Sequence, residues 1–265
     1  MRTVSPMEQL EPFRGARLLG PQAPTPPAPA DRRTLSEEVV VVLLLSLLAS
    51  AVYAILSLLE APLAGTIVAS ANQSTQLARQ LAGFVFGLAP VFLVVHLVRR
   101  SSEGLDGIGL AADRPGPDLA KGLGLFAVVG LAGLGLYLAA VELGVNRFVI
   151  PAPPLGHWWT VPVLLLSALE AALVEEVIVL GYLVTRLRQL SWSPLAAVVG
   201  SSALRASYHL YQGWGGFLGN LAMGLLFSVL FLRWRRTWPF VVTHFLLDVA
   251  AGLGYILFRD RLPGF

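Results

Sequence analysis

The sequence predicts an all-α fold, a polytopic bundle of about seven transmembrane helices with a range of six to eight. Three observations carry that expectation. The 265 residues are 55% hydrophobic and only 13% charged, with a mean hydropathy of +0.70, whereas soluble domains run at about 25% charged. Several runs approach or exceed the ~20 apolar residues needed to cross a hydrocarbon core. The positive charges also alternate between loops as the positive-inside rule requires. The chain has no cysteine, which excludes disulfides and thiolate metal sites. Its net charge of +3 rests almost wholly on Arg, with Lys121 the only lysine. That charge is distributed as membrane orientation requires, so no nucleic-acid partner is expected.

Residues 1–36 differ from the rest: "PQAPTPPAPADRR" is proline-rich, cannot pack a core, and reads as a disordered cytoplasmic tail. The first apolar run begins only after Glu38, so no signal peptide is expected. That run, "VVVVLLLSLLASAVYAILSLL" (39–59), is the first predicted span. The second covers 81–98, and the third, 119–143, is glycine-rich and suited to close helix packing. The fourth runs over 161–183, the sixth over 217–232 and the seventh over 239–258. The fifth, "PLAAVVGSSALRASY" (194–208), is short for a span. Two helical regions are expected after the tail, an amino-terminal one over 37–143 and a carboxyl-terminal one over 144–265.

Under this alternation Arg32, Arg33, Arg99, Arg100, Arg114, Lys121, Arg186, Arg188, Arg233, Arg235 and Arg236 share one side. Arg79, Arg147, Arg259 and Arg261 lie on the other. The amino terminus is therefore expected in the cytoplasm and the carboxyl terminus outside, in a multi-pass protein of the plasma membrane. The tryptophans cluster at predicted span ends, where amphipathic rings sit. The Arg, Ala, Gly and Leu bias is that of a high-GC bacterial genome.

Removing the tail, loops and span ends leaves few intramembrane polar groups: Glu170, Glu175, Glu176, Arg205, His209, His244 and Asp248, with His96 near a span end. Charges at bilayer depth are costly and mark functional sites by default. Arg205 and His209 are spaced i,i+4, as are His244 and Asp248, so each pair shares one helix face. A carboxylate in a low-dielectric site can act as a general base. Imidazoles can orient water, donate to a developing oxyanion, or bind a metal. Two His with one or two carboxylates would suit a divalent metal such as zinc with an open position, Glu175, His209 and His244 being the candidate ligands. The local His-Glu-x-x-His signature is absent. Without a catalytic role, the same groups could relay protons in a transporter or only fasten helices in a membrane scaffold.

Order and spacing resemble a known family. "EEVIVL" (175–180), "RASYH" (205–209) and "HFLLD" (244–248) are similar to the EExxxR, FxxxH and HxxxN/D motifs of the CPBP intramembrane proteases (CAAX proteases and bacteriocin-processing enzymes, also called the Abi family). Two letters depart: Leu180 stands in the place of the motif arginine and Arg205 in the place of the motif phenylalanine. The resemblance implies an intramembrane endopeptidase cutting a membrane-associated peptide or protein. It implies that Glu175 and His209 activate water, that His244 and Asp248 hold the carbonyl or oxyanion, and that Glu176 supports them. Some members of the family act instead as immunity or scaffold proteins.

The departures are expected to compensate. Glu176 loses its partner on its own helix, while Arg205 arrives one turn before His209, and neither charge is tolerated alone. Arg205 is therefore expected to cross between helices to Glu176. Convergence also demands that the helix at 194–208 be short and tilted. His209 lies ~22 Å along it from Pro194, whereas His244 lies only ~9 Å from Trp238. "HLYQGWGG" is then expected to be a turn at membrane depth.

Overall fold

The computed structural model describes residues 29–47, 50–51, 55, 73–144, 153 and 155–259. Among these the fold is helical throughout, with no strand. The elements are α1 (Pro29–Leu44), α2 (Gln73–Gly87), α3 (Ala89–Arg100), a short α4 (Gly104–Gly107) and α5 (Pro115–Glu142). Then come α6 (Thr160–Leu173), a π-helical segment (Val174–Val184), α7 (Thr185–Gln189) and α8 (Pro194–Ser207). A 3₁₀ turn (Leu210–Gln212), α9 (Trp214–Trp234) and α10 (Trp238–Phe258) complete the chain.

Among the described residues four stretches are long and apolar enough to cross a membrane: Gln76–Arg100, Pro115–Ala140, Trp214–Trp234 and Trp238–Phe258. They contain the second, sixth and seventh predicted spans and most of the third. The first predicted span lies largely outside the described residues. The fourth is an unbroken run from Thr160 to Gln189. It carries Glu170, Glu175 and Glu176 among its apolar residues. Helix α1 is described from Pro29 onward, so its first turns fall inside the stretch expected to be a tail. Residues 1–28 lie outside the described residues.

The π segment is the centre of the bundle. It packs against α3, α8 and α9, and α10 lies along α5 and α6. Val177, Ile178, Tyr182 and Leu183 meet Val91, Val94 and Val98 of α3 on one side. On the other, Leu180 and Val184 meet Val198, Phe227, Phe231 and Phe240. Burying one such side chain contributes ~1.5–3 kcal/mol. The outward rows of Phe86, Phe92, Val128, Leu131 and Leu195 remain exposed, as lipid-facing positions must.

The loops expected on one side of the membrane do meet at one end of the bundle. Arg186 lies 3.5 Å from Glu38 and 3.6 Å from Glu103. Gln189 Nε2 donates to Glu103, and Arg235 to the Gly107 carbonyl. Gly109, at φ +73°, lets the backbone close on Arg235 and Thr237, where a Cβ would lie 2.9 Å from the Thr237 nitrogen. Arg236 clamps the same turn, donating to Asp113 at 2.5 Å, to both oxygens of Asp118, and to the Ala111 carbonyl.

The Arg236 hydrogen bond holds the Asp113 carboxyl below its ordinary value of 3.8. A carboxylate lowered on folding contributes stability above its unfolded value and loses it as pH falls through the folded one. Asp113 is exposed, so the contribution is small. Acidification below about pH 4 is expected to loosen this turn before the helices. Hydrogen exchange over residues 108–114, corrected for intrinsic rates, checks it. The same acid dependence of protection in an Asp113→Asn variant would show that the clamp does not depend on Asp113 being charged.

Candidate active site

Three elements bring the polar groups together. The π segment supplies Glu175 and Glu176, the end of α8 supplies Arg205, Tyr208 and His209, and α10 supplies His244 and Asp248. π-helical turns recur at functional sites because the widened turn re-aims side chains. Here that segment carries both glutamates into the interior, Glu176 at 0% and Glu175 at 9% exposure.

Helix α8 is short, as convergence demanded. Ser193 caps its start by accepting from the Ala196 nitrogen, and Pro194 sits at its first position. It ends at Ser207, and the chain turns through Leu210–Gln212 to Gly213 at φ +93°. The turn expected from "HLYQGWGG" is therefore present. Its backbone is satisfied by His209 N to Ala206 O and Gln212 N to His209 O, which irregular backbone at membrane depth requires.

Arg205, 1% exposed, pairs with Glu176 as the two departures from the motif suggested. Nη2 donates to Glu176 Oε1 at 2.5 Å and Nη1 to Oε2 at 3.3 Å. The guanidinium also sits 3.1 Å from Glu175 Oε2 and 5.5 Å from the centre of the Phe227 ring. Leu180, in the motif's arginine place, is fully enclosed by apolar side chains. One guanidinium from a neighbouring helix thus pairs with both carboxylates. His244 completes the ring, with Nδ1 2.7 Å from Glu176 Oε1 and Nε2 3.5 Å from Asp248 Oδ2.

Glu175 is held asymmetrically. Its Oε2 accepts from the Tyr208 hydroxyl at 2.9 Å and lies in an ion pair with Arg205 at 3.1 Å. Its Oε1 faces His209 Nε2 across 3.9 Å. His209 Nδ1 lies 3.0 Å from the Arg205 carbonyl; a carbonyl only accepts, so Nδ1 carries the proton and Nε2 keeps its lone pair in the neutral ring. The Nε2–Oε1 gap is too long for a direct hydrogen bond and suits a shared water.

Tyr208 is the partner that sequence spacing missed. Neighbours in a helix diverge, so a residue beside His209 was not expected to reach the same carboxylate. Because α8 stops at Ser207, both lie on a turn and both reach Glu175. His96 is exposed, and His157 stacks on Trp159 at 4.6 Å, so neither joins the site.

Donor atoms of Glu175, Glu176 and His244 lie within 4.8 Å of one another, near enough to hold a metal ion by reach. His209, among the ligands expected from sequence, is not in that group. Arg205 Nη2 contacts all three residues, at 3.1 Å from Glu175, 2.5 Å from Glu176 and 3.1 Å from His244 Nδ1. A cation placed among them would have to displace the guanidinium, so no catalytic step is routed through a metal.

Fold and site together define a helical membrane protein with a buried carboxylate, arginine and histidine centre inside the bundle. Residues 157–250, which contain every one of these groups, match the family model described as Rce1-like, type II CAAX prenyl endopeptidase. The resemblance to the CPBP family is thereby shown over about a third of the chain, and that family is of the protease type. No curated protein and no solved structure matches the chain.

Proposed function

We propose that this protein is an intramembrane endopeptidase that hydrolyses a peptide bond of a membrane-associated peptide or protein. The observation that supports it best is the Glu175–His209 pair: a buried carboxylate oxygen facing an imidazole lone pair across 3.9 Å. Water held there loses a proton to Glu175 while His209 orients it. The hydroxide adds to the scissile carbonyl carbon. The developing oxyanion receives Nε2–H of His244, with both ring nitrogens protonated between Glu176 and Asp248. Collapse of the intermediate breaks the C–N bond, and the proton on Glu175 passes to the leaving amine. Arg205 and Glu176 act as positioning residues that hold Glu175 and His244 in place. General acid–base transfer of this kind contributes about 10²–10⁴-fold.

In this reading the carboxyl-terminal helices over 144–265 carry the catalytic core and those over 37–143 shape access to it. The amino terminus is cytoplasmic and the carboxyl terminus lies outside the plasma membrane, as the loop arginines suggest. The direct test is reconstitution in liposomes with a library of apolar peptides. Cleavage supports the reading, whereas proton flux without cleavage supports a transporter. Because Arg205 occupies the cation position, cleavage is expected to survive 1,10-phenanthroline. Loss of activity restored by zinc would show that a metal is required after all.

A further inference from the structure

One carboxylate at membrane depth takes no part in this chemistry. A cavity of about 410 Å³ extends from Glu175 to Glu170, between the end of α1, α2 and α6. Among the described residues its walls are apolar apart from Ser46, Ser50, Ser167 and the two glutamates, and no basic residue lines it. The Ser46 hydroxyl donates to the Val42 carbonyl, so toward the cavity it presents only acceptor lone pairs. Among the described residues no hydrogen bond or ion pair engages the Glu170 carboxylate. Its Oε1 lies 1.6 Å from where a Cβ on Gly87 would stand. The carboxylate therefore rests on the α2 backbone at a place that only glycine leaves open.

An unpaired carboxylate among apolar walls favours a cationic donor, since charge-assisted hydrogen bonds are about twice as strong as neutral ones. From Glu170 to Glu175 the helix rises ~7.5 Å at 1.5 Å per residue. An extended peptide advances ~3.3–3.6 Å per residue and turns alternate side chains to the same face. A substrate whose carbonyl faces Glu175 thus presents the side chain two residues away to Glu170.

We propose that Glu170 is a specificity determinant of this cavity and receives an Arg or Lys side chain of the substrate two residues from the scissile bond. The proposal rests on the endopeptidase reading for the position of that bond, but the recognition can be measured without cleavage. The probe is a fluorescent Leu/Ala peptide carrying a single Arg scanned along its length, bound to the Glu175→Gln protein in lipid nanodiscs and, separately, offered to the wild type for cleavage. At one position Arg is expected to tighten binding about 10- to 100-fold over the Ala peptide. Glu170→Gln removes that preference, and Glu170→Lys transfers it to a Glu-bearing peptide. Gly87→Ala keeps the charge but displaces the carboxylate, so it also loses the preference and carries the test if the Glu170 variants fold poorly. Equal binding of Arg and Ala peptides, or a preference that survives Glu170→Gln, overturns the proposal. Glu170-dependent binding with no peptide cut sinks the endopeptidase reading and leaves the recognition site standing. Cleavage without any Arg preference sinks the recognition proposal alone.

Discussion

Glu175→Gln is expected to lower cleavage by about 10²–10⁴-fold while leaving the folded bundle intact. The substitution keeps the size of the side chain and lets the amide oxygen still accept from Tyr208, which now donates at 2.9 Å. It removes the lone pairs on Oε1 that face His209. Circular dichroism and melting of the variant separate lost chemistry from lost fold. Glu175 is not the principal partner of Arg205, which keeps Glu176 at 2.5 Å, so the melting temperature is expected to change little. A variant that melts far below the wild type would mean that Glu175 is structural.

The second large effect falls on Arg205. Replacing it by Phe, the residue of the family motif, strands Glu176 at 0% exposure with only His244 beside it. Removing one partner of a buried pair typically costs about 3–5 kcal/mol. Arg205→Phe alone is therefore expected to destabilise the protein and abolish activity. Adding Leu180→Arg restores the motif arrangement, with the guanidinium four residues after Glu176. The double variant is expected to recover most of the stability and activity, whereas Leu180→Arg alone crowds a charge among Val198, Phe227 and Phe240. A double variant no better than Arg205→Phe would contradict compensation between the two positions.

Much of this was legible before any coordinates. Hydrophobic runs and loop arginines gave the helical class, because bilayer thickness and charge asymmetry constrain composition strongly. The site was legible because intramembrane charges are few, so Glu175, Glu176, Arg205, His209, His244 and Asp248 stood out, and two unpaired charges of opposite sign called for each other. Three features were not legible. The π segment leaves no mark in hydrophobic periodicity over eleven residues, Val174–Val184. Tyr208 became a Glu175 partner only because α8 ends one residue before it. The helical turns over 29–36 were hidden by the proline-rich composition around them, which argues against helix except at a first turn. Of the metal ligands suggested by residue type, Glu175 and His244 fall in the cluster with Glu176, and spacing could not show that Arg205 contacts all three of these residues.

Delivery of water by Glu175 to a peptide bond within the membrane is the step on which the proposed activity depends. The most direct measurement is mass spectrometry of peptides cut by the purified protein in liposomes made up in heavy-oxygen water. A single heavy oxygen is expected in each new carboxyl terminus with the wild type, and no such product with Glu175→Gln. Labelled product formed at the wild-type rate by Glu175→Gln would contradict it.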